Sequence, residues 1–172
     1  MDSVNNIDYN TLTEQLSALV AGERCPLPNL SNASALLWYA LPDINWGGFY
    51  ISVRAETGER ELLLGPFQGK TACIRIKYGR GVCGTAASGN NILTVDNVHE
   101  FPGHIACDSA SNSEIVIPLH DAEGSVVGVL DIDSTSYSRF TESDRVGLSR
   151  LANILEKSCD WDSFKKGLSP NQ

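Results

Sequence analysis

The side chains with the most chemistry to offer are five cysteines, three acidic residues near one another in two strand-like segments, and a pair of aromatic residues. Cys73, Cys83 and Cys107 are separated by nine and 23 residues, while Cys25 and Cys159 lie towards the two ends. No C-x-x-C pair occurs, so a structural zinc knuckle has no support. An odd number of cysteines argues against a disulfide framework and leaves buried bystanders, metal ligands or redox catalysts. His99, His104 and Cys107 superficially suggest a metal, but their spacing matches no tight ligand pattern. Cys107 stands beside Gly103, His104 and Asp108 in an irregular stretch, where an accessible reactive thiol is expected. Cys25 and Cys159, on or near terminal helices, are expected to be unreactive packing residues.

The acidic residues are Glu114, Asp131 and Asp133. Side chains alternate across a strand, so Val127, Val129, Asp131 and Asp133 are expected on one face, with the two carboxylates roughly 6–7 Å apart. Whether Glu114 joins them depends on strand register. If the three converge, mutual repulsion raises at least one pKa and leaves an acid able to donate a proton. Solvated strand ends would give the same pattern. Trp46, Gly48 and Tyr50 also share a face, two aromatics around a glycine forming a shelf with polar tips, suited to a small ligand or to core packing. Gly79-Arg80-Gly81-Val82-Cys83-Gly84 fits G-x-G-x-x-G. The dinucleotide fingerprint requires a parallel βαβ unit; the surrounding strands look hairpin-connected, and glycines that let the chain turn tightly into a helix explain the motif better.

These residues need elements to hold them. The 172 residues fit one domain, with 42% hydrophobic and 20% charged residues, an ordinary globular balance. Thirteen Lys and Arg against 21 Asp and Glu give a net charge of −8, which argues against a nucleic-acid binder. No apolar run reaches the ~18 residues of a membrane span. The polar start MDSVNNIDYN lacks the marks of a secretory signal, so the cytosol, or also the nucleus, is the expected compartment. Helices are expected over 11–22, capped by Thr11 or Thr13, over 31–41, capped by Ser31 after a break at Cys25–Pro28, and over 141–158, capped by Thr141. Strands are expected over 46–53, 60–67, 72–78, 92–95, 114–119 and 125–133, with turns at ETGE and DAEG and a short helix over 81–88. The tail GLSPNQ reads as frayed. Residues 96–113 form a long irregular segment whose His, Phe, Ile and Cys content favours an ordered functional loop. Terminal helices around hairpin-joined strands indicate an α+β domain with an antiparallel sheet, one face covered by helices and the other free for a ligand.

The stretches FPGHIACD, SNSEIVIPL and GVLDIDS, with NWGGFY at 45–50, LLLGPFQGKTACIRI at 62–76 and GRGVCGTA at 79–86, closely resemble the free methionine-(R)-sulfoxide reductases, a catalytic branch of the GAF-domain family. The resemblance spans about residues 30–157 and implies a six-stranded antiparallel sheet with helices against one face, often as a homodimer. It implies free L-methionine-(R)-sulfoxide as substrate, Cys107 as nucleophile, Cys73 as the main resolving thiol and Cys83 as an additional one. Trp46 and Tyr50 match the wall around the sulfoxide methyl, and Glu114, Asp131 and Asp133 the acidic cluster for the ammonium and the oxygen. The implied reductant is an external thioredoxin, with no resident cofactor or metal. For Cys107 and Cys73 to bridge, the 96–113 loop must bring their Cα atoms to about 5.5–6 Å, so loop movement is expected. A non-catalytic GAF sensor of a small molecule or of oxidation is the alternative on the same fold.

Overall fold

The computed structural model describes residues 7–103 and 108–168. Six strands make one sheet: β1 (Trp46–Arg54), β2 (Arg60–Gly69), β3 (Arg75–Lys77), β4 (Leu93–Val95), β5 (Ser113–His120) and β6 (Val126–Ser134). Their order is β3-β2-β1-β6-β5-β4, and every pairing is antiparallel. The fold is therefore the expected α+β arrangement. It offers no parallel βαβ unit among the described residues, which removes the dinucleotide reading of the glycine motif.

Helices α1 (Tyr9–Leu19), α2 (Pro26–Ala40) and α4 (Glu142–Ser158) cover one face. Leu12 and Leu16 of α1, Leu30 and Leu37 of α2, and Leu148, Leu151 and Leu155 of α4 bury against Phe49, Ile51, Ile115, Ile117, Leu130 and Ile132 of the sheet. Each such side chain contributes about 1.5–3 kcal/mol relative to exposure. The opposite face carries a second apolar cluster under helix α3 (Gly81–Gly89), including Trp46, Tyr50, Leu62, Val116 and Val129.

Several elements differ from expectation for local reasons. Helix α1 starts two residues early because Asp8, not Thr11 or Thr13, caps it, accepting from the Asn10 and Thr11 amides at 3.1 Å. Helix α2 starts at Pro26 instead of Ser31. The first-turn amides of a helix need no intrahelical partner, so Pro26 and Pro28 begin it without breaking it. Ser31 sits inside, its hydroxyl donating to the Leu27 carbonyl at 2.7 Å. The Thr141 cap of α4 is as expected, in a reciprocal capping box with Asp144.

A fifth helix, α5 (Trp161–Gly167), is too short to show periodicity in the sequence; the Asp160 side chain caps it and Trp161 is buried. Of the GLSPNQ tail, residues 169–172 lie outside the described residues. The long segment after β4 contains a short 3₁₀ turn, Val98–Glu100, with Val98 buried and its amide bound to the Asn112 carbonyl at 2.9 Å. No helix of the described residues is long and apolar enough to cross a membrane.

Candidate active site

Strand register assembles the site. Trp46 pairs with Asp133, and Asp133 pairs on its other side with Glu114. Asp131 lies between Gly48 and Val116, and Val129 between Tyr50 and Pro118. Directly opposed residues project to the same side of a sheet. Glu114 therefore joins Asp131 and Asp133, beside Trp46 and Tyr50, on the face under α3. Val127, expected on that face, is not there. Leu119 pairs with Gly128 and His120 with Val126, so Val127 is the extra residue of a β-bulge and turns into the helix-covered core.

Helix α3 lays Cys83 over the acids. Its Sγ donates to Glu114 Oε1 at 3.8 Å, and one ligand atom each of Cys83, Glu114 and Asp131 fall within 4.8 Å of one another. Burial pushes the Glu114 carboxyl well above its usual value, and the charges of Asp131 and Asp133 add to this. Burial likewise raises Asp131, to about 6, against hydrogen bonds from Cys83 and Glu114 that pull it down. Asp133 is pushed well up by burial, then by Asp131 and Asp108. The Cys83 thiol is driven up by burial and then by Asp131 and Glu114, so it stays protonated. The result is a proton-rich pocket: Glu114 holds a proton and donates towards Asp131, the most easily ionised of the three. Asp131 Oδ1 is buried with no hydrogen-bond partner among the described residues, an open acceptor for a ligand N–H or O–H.

Among the described residues the potential metal ligands that come together are Cys83, Glu114 and Asp131; His99 is not with them, its Nε2 lying 2.8 Å from Asn112 Oδ1.

The aromatic wall stands beside the acids. Trp46 stacks on Tyr50 at 5.8 Å and on Phe67 at 5.2 Å between ring centroids. The Trp46 indole N–H donates to the Lys70 carbonyl at 3.1 Å, and the Tyr50 hydroxyl to the Cys73 carbonyl at 3.0 Å. The strand expected over 72–78 is a strand only over Arg75–Lys77, and just before it the Cys73 carbonyl serves Tyr50. Tyr50 stays protonated, its phenol raised by burial and then by Asp131, Cys83, Asp133 and Glu114.

Cys73 is disulfide-bonded, whereas Cys25, Cys83 and Cys159 are free thiols. Cys107 and His104, singled out above, lie outside the described residues. Cys159 is buried as expected, but Cys25 is exposed, because residues 21–25 form a surface turn leading into α2.

Sequence reasoning missed Phe67 and a polar clasp around Asp108. Asn45 Nδ2 donates to Asp108 Oδ2 at 3.2 Å and to Ser111 Oγ at 3.0 Å, and Lys70 Nζ stands 3.3 Å from Asp108. The Ala110 amide, then Lys70 and Asn45, hold the Asp108 carboxyl below its usual value against a burial effect in the other direction. The clasp residues Asn45, Lys70, Asp108 and Ser111 sit in irregular segments without periodicity, where only their polar type marks them, while Phe67 lies within β2. The glycine motif is structural. Gly79 and Gly81 adopt left-handed backbone (φ +77° and +60°), and a Cβ at Gly84 would meet the Lys77 carbonyl oxygen at 2.3 Å.

The model of the GAF domain matches residues 9–158. A free methionine-R-sulfoxide reductase of Escherichia coli is 52% identical over 158 residues, 92% of each chain. One of Saccharomyces cerevisiae is 45% identical over 169 residues, covering 92% of this chain and 93% of the relative. The X-ray structure of the free methionine-R-sulfoxide reductase of Neisseria meningitidis, in complex with its substrate, superposes with a TM-score of 0.82 at 41% identity, covering 93% of this chain and 92% of that one. With the antiparallel sheet and the acid-lined pocket under α3, these likenesses place the chain in the GAF-domain family and, within it, among the free methionine-(R)-sulfoxide reductases.

Proposed function

We propose that the chain reduces free L-methionine-(R)-sulfoxide to L-methionine by thiol chemistry, with Cys107 as nucleophile, Cys73 as resolving thiol and a thioredoxin-type dithiol as reductant. The observation that carries the reading is the cluster of buried Glu114 and Asp131 with half-buried Asp133, their carboxyls raised, beside the Trp46–Tyr50 wall.

A sulfoxide sulfur becomes electrophilic when its oxygen is protonated or strongly hydrogen-bonded. A carboxylic acid with a raised pKa is suited to that task at neutral pH. The free amino acid also brings an ammonium group, for which the open Asp131 Oδ1 is a charge-assisted acceptor. A peptide-bound residue has no such ammonium and leaves the acceptor unpaired, which disfavours it. Trp46 and Tyr50 supply an apolar wall for the methyl group.

The Cys107 thiolate bonds to the sulfur while the acid cluster delivers one proton to the oxygen. The hydroxyl then passes from that sulfur to the Cys107 sulfur as the sulfur–sulfur bond breaks, leaving methionine and a Cys107 sulfenic acid. The Cys73 thiol condenses with it, releasing water and forming a disulfide, and an external dithiol takes up the disulfide by exchange. Two features support this assignment of the cysteines. Asp108, the residue bonded to Cys107 in the chain, lines the same pocket as Glu114 and Asp131, and Cys73 is already disulfide-bonded, tied to the pocket wall through Tyr50. Cys83 serves in this state as a neutral donor to Glu114 and is an additional thiol for exchange. The reading includes a homodimeric assembly, which light scattering would test.

The test is turnover of free methionine-(R)-sulfoxide with a thioredoxin regenerating system. Cys107→Ser abolishes methionine formation. Cys73→Ser is expected still to form about one methionine per enzyme and then to recycle slowly, because the sulfenic acid has lost its main partner. Equal activity on the peptide-bound sulfoxide would refute the substrate assignment.

A further inference from the structure

Two of the free cysteines, Cys25 and Cys159, are neighbours. Cys25 is the N-cap of α2 and Cys159 the C-cap of α4. Between them the chain segments are stitched together: the Asp160 amide donates to the Arg24 carbonyl at 2.7 Å, and Arg24 Nη1 to the Lys157 carbonyl at 3.1 Å. Cys25 directly follows Arg24 and Cys159 directly precedes Asp160, so the thiols flank this stitch.

A second contact fixes their relative placement. Asn29 lies four residues beyond Cys25, one helical turn along the same face. Its Nδ2 reaches the Cys159 sulfur at 3.6 Å and the Glu23 carbonyl at 3.0 Å. The Cys25 amide is held by Glu23 Oε1 at 2.6 Å. Burial is the main reason the Cys159 thiol is raised, and the nearby Cys25 and Glu23 add to it while Asn29 and Arg24 pull it down. Cys25 is exposed, Cys159 is buried, and both are free thiols.

We propose that Cys25 and Cys159 form a second dithiol, separate from the active-site cysteines, that low-molecular-weight disulfides oxidise to an intramolecular bridge between α2 and α4. Exposure assigns the entry position to Cys25. Its thiolate attacks one sulfur of the small disulfide, a mixed disulfide forms on Cys25, and the first small thiol leaves. Cys159 then gives up its proton and attacks the Cys25 sulfur, expelling the second small thiol. The two protein thiols lose two electrons and two protons, and the small disulfide gains them. The bridge needs Cα atoms about 4.4–6.8 Å apart, within the reach of residues flanking one backbone hydrogen bond. It would pin the start of α2 to the end of α4 on the face of the sheet away from the acid cluster.

The experiment treats the full chain with oxidised glutathione and maps disulfides by mass spectrometry of a non-reducing digest. A cross-linked peptide pair carrying Cys25 and Cys159 is expected, and Cys25→Ser leaves Cys159 reduced. Cys159→Ser traps glutathione on Cys25, and Cys25→Ser turns over free methionine-(R)-sulfoxide at the parent rate. Glutathione persisting on Cys25 of the parent protein, Cys25 joined to Cys73, Cys83 or Cys107, or both thiols remaining reduced would each overturn the proposal. The parent cross-link decides the matter alone, so no variant has to fold for the test to stand.

Discussion

The phenolic hydroxyl of Tyr50 donates a hydrogen bond of 3.0 Å to the backbone carbonyl of Cys73, so a side chain of the candidate pocket holds the segment that carries the proposed resolving thiol. Tyr50→Phe keeps the ring and removes this bond, leaving a carbonyl without its partner at a cost of about 1–3 kcal/mol. The expected result is a steady-state rate lowered by about tenfold with the first turnover little changed. Rapid quench set beside steady-state turnover reads the difference; a first turnover slowed as much as the steady state would contradict it.

Glu114 holds a proton because burial and the adjacent aspartates make its ionised form costly. Glu114→Gln preserves shape and a hydrogen-bond donor but cannot surrender a proton. The reduction step should slow by about 10²–10⁴-fold with KM altered far less. Methionine release in single turnovers measures this directly.

Asp131 couples stability to pH. Its carboxyl rises from 3.8 to about 6 on folding, burial being the main cause. Between these values this carboxyl binds more protons in the folded chain than in the unfolded one. Stability is therefore lost as pH rises through that window and stays low above about 6. Asp131→Asn removes this penalty, so the variant should be more stable than the parent at pH 7 and show a flatter stability profile over about pH 4–8. Its KM for free methionine sulfoxide should rise by about tenfold or more through loss of the ammonium's counter-charge. Urea denaturation over that pH range, with kinetics on the same samples, tests both; an Asn variant less stable than the parent at pH 7 would refute the linkage.

Gly48 lets β1 and β2 approach behind the aromatic wall. A Cβ there would stand 2.3 Å from Phe67 Cβ, 2.6 Å from Phe67 Cα and 2.8 Å from the Pro66 oxygen. Gly48→Ala should cost about 1–3 kcal/mol or more in urea denaturation. Because two of those neighbours are backbone atoms, trimming Phe67 to Ala should not rescue it.

Much of this was legible beforehand. Six strands in hairpin order, the three helices on one face and the Thr141 cap follow from local signals: period-two alternation, period-3.6 apolar stripes and cap residues. The missed pieces lacked such signals. Helix α5 is shorter than two full turns, Asp8 competes with two nearby threonines as a cap, and prolines at the start of α2 look like a break unless the helix is known to begin there. Phe67 and the Asn45–Lys70–Asp108 clasp depend on contacts between segments far apart in the chain.

The division follows the range of the forces. Alternation along a single strand is enough to put Asp131 with Asp133 and Trp46 with Tyr50, and amino-acid types alone supply thiols, acids and an aromatic shelf. Register is not local. Only the pairing of β5 with β6 brought Glu114 opposite Asp133, only the bulge at Val127 turned that side chain to the other face, and only the docking of α3 set Cys83 above the acids. The raised carboxyls are likewise a tertiary product: burial and mutual repulsion exist only after these three strands and one helix have excluded water from the space between them.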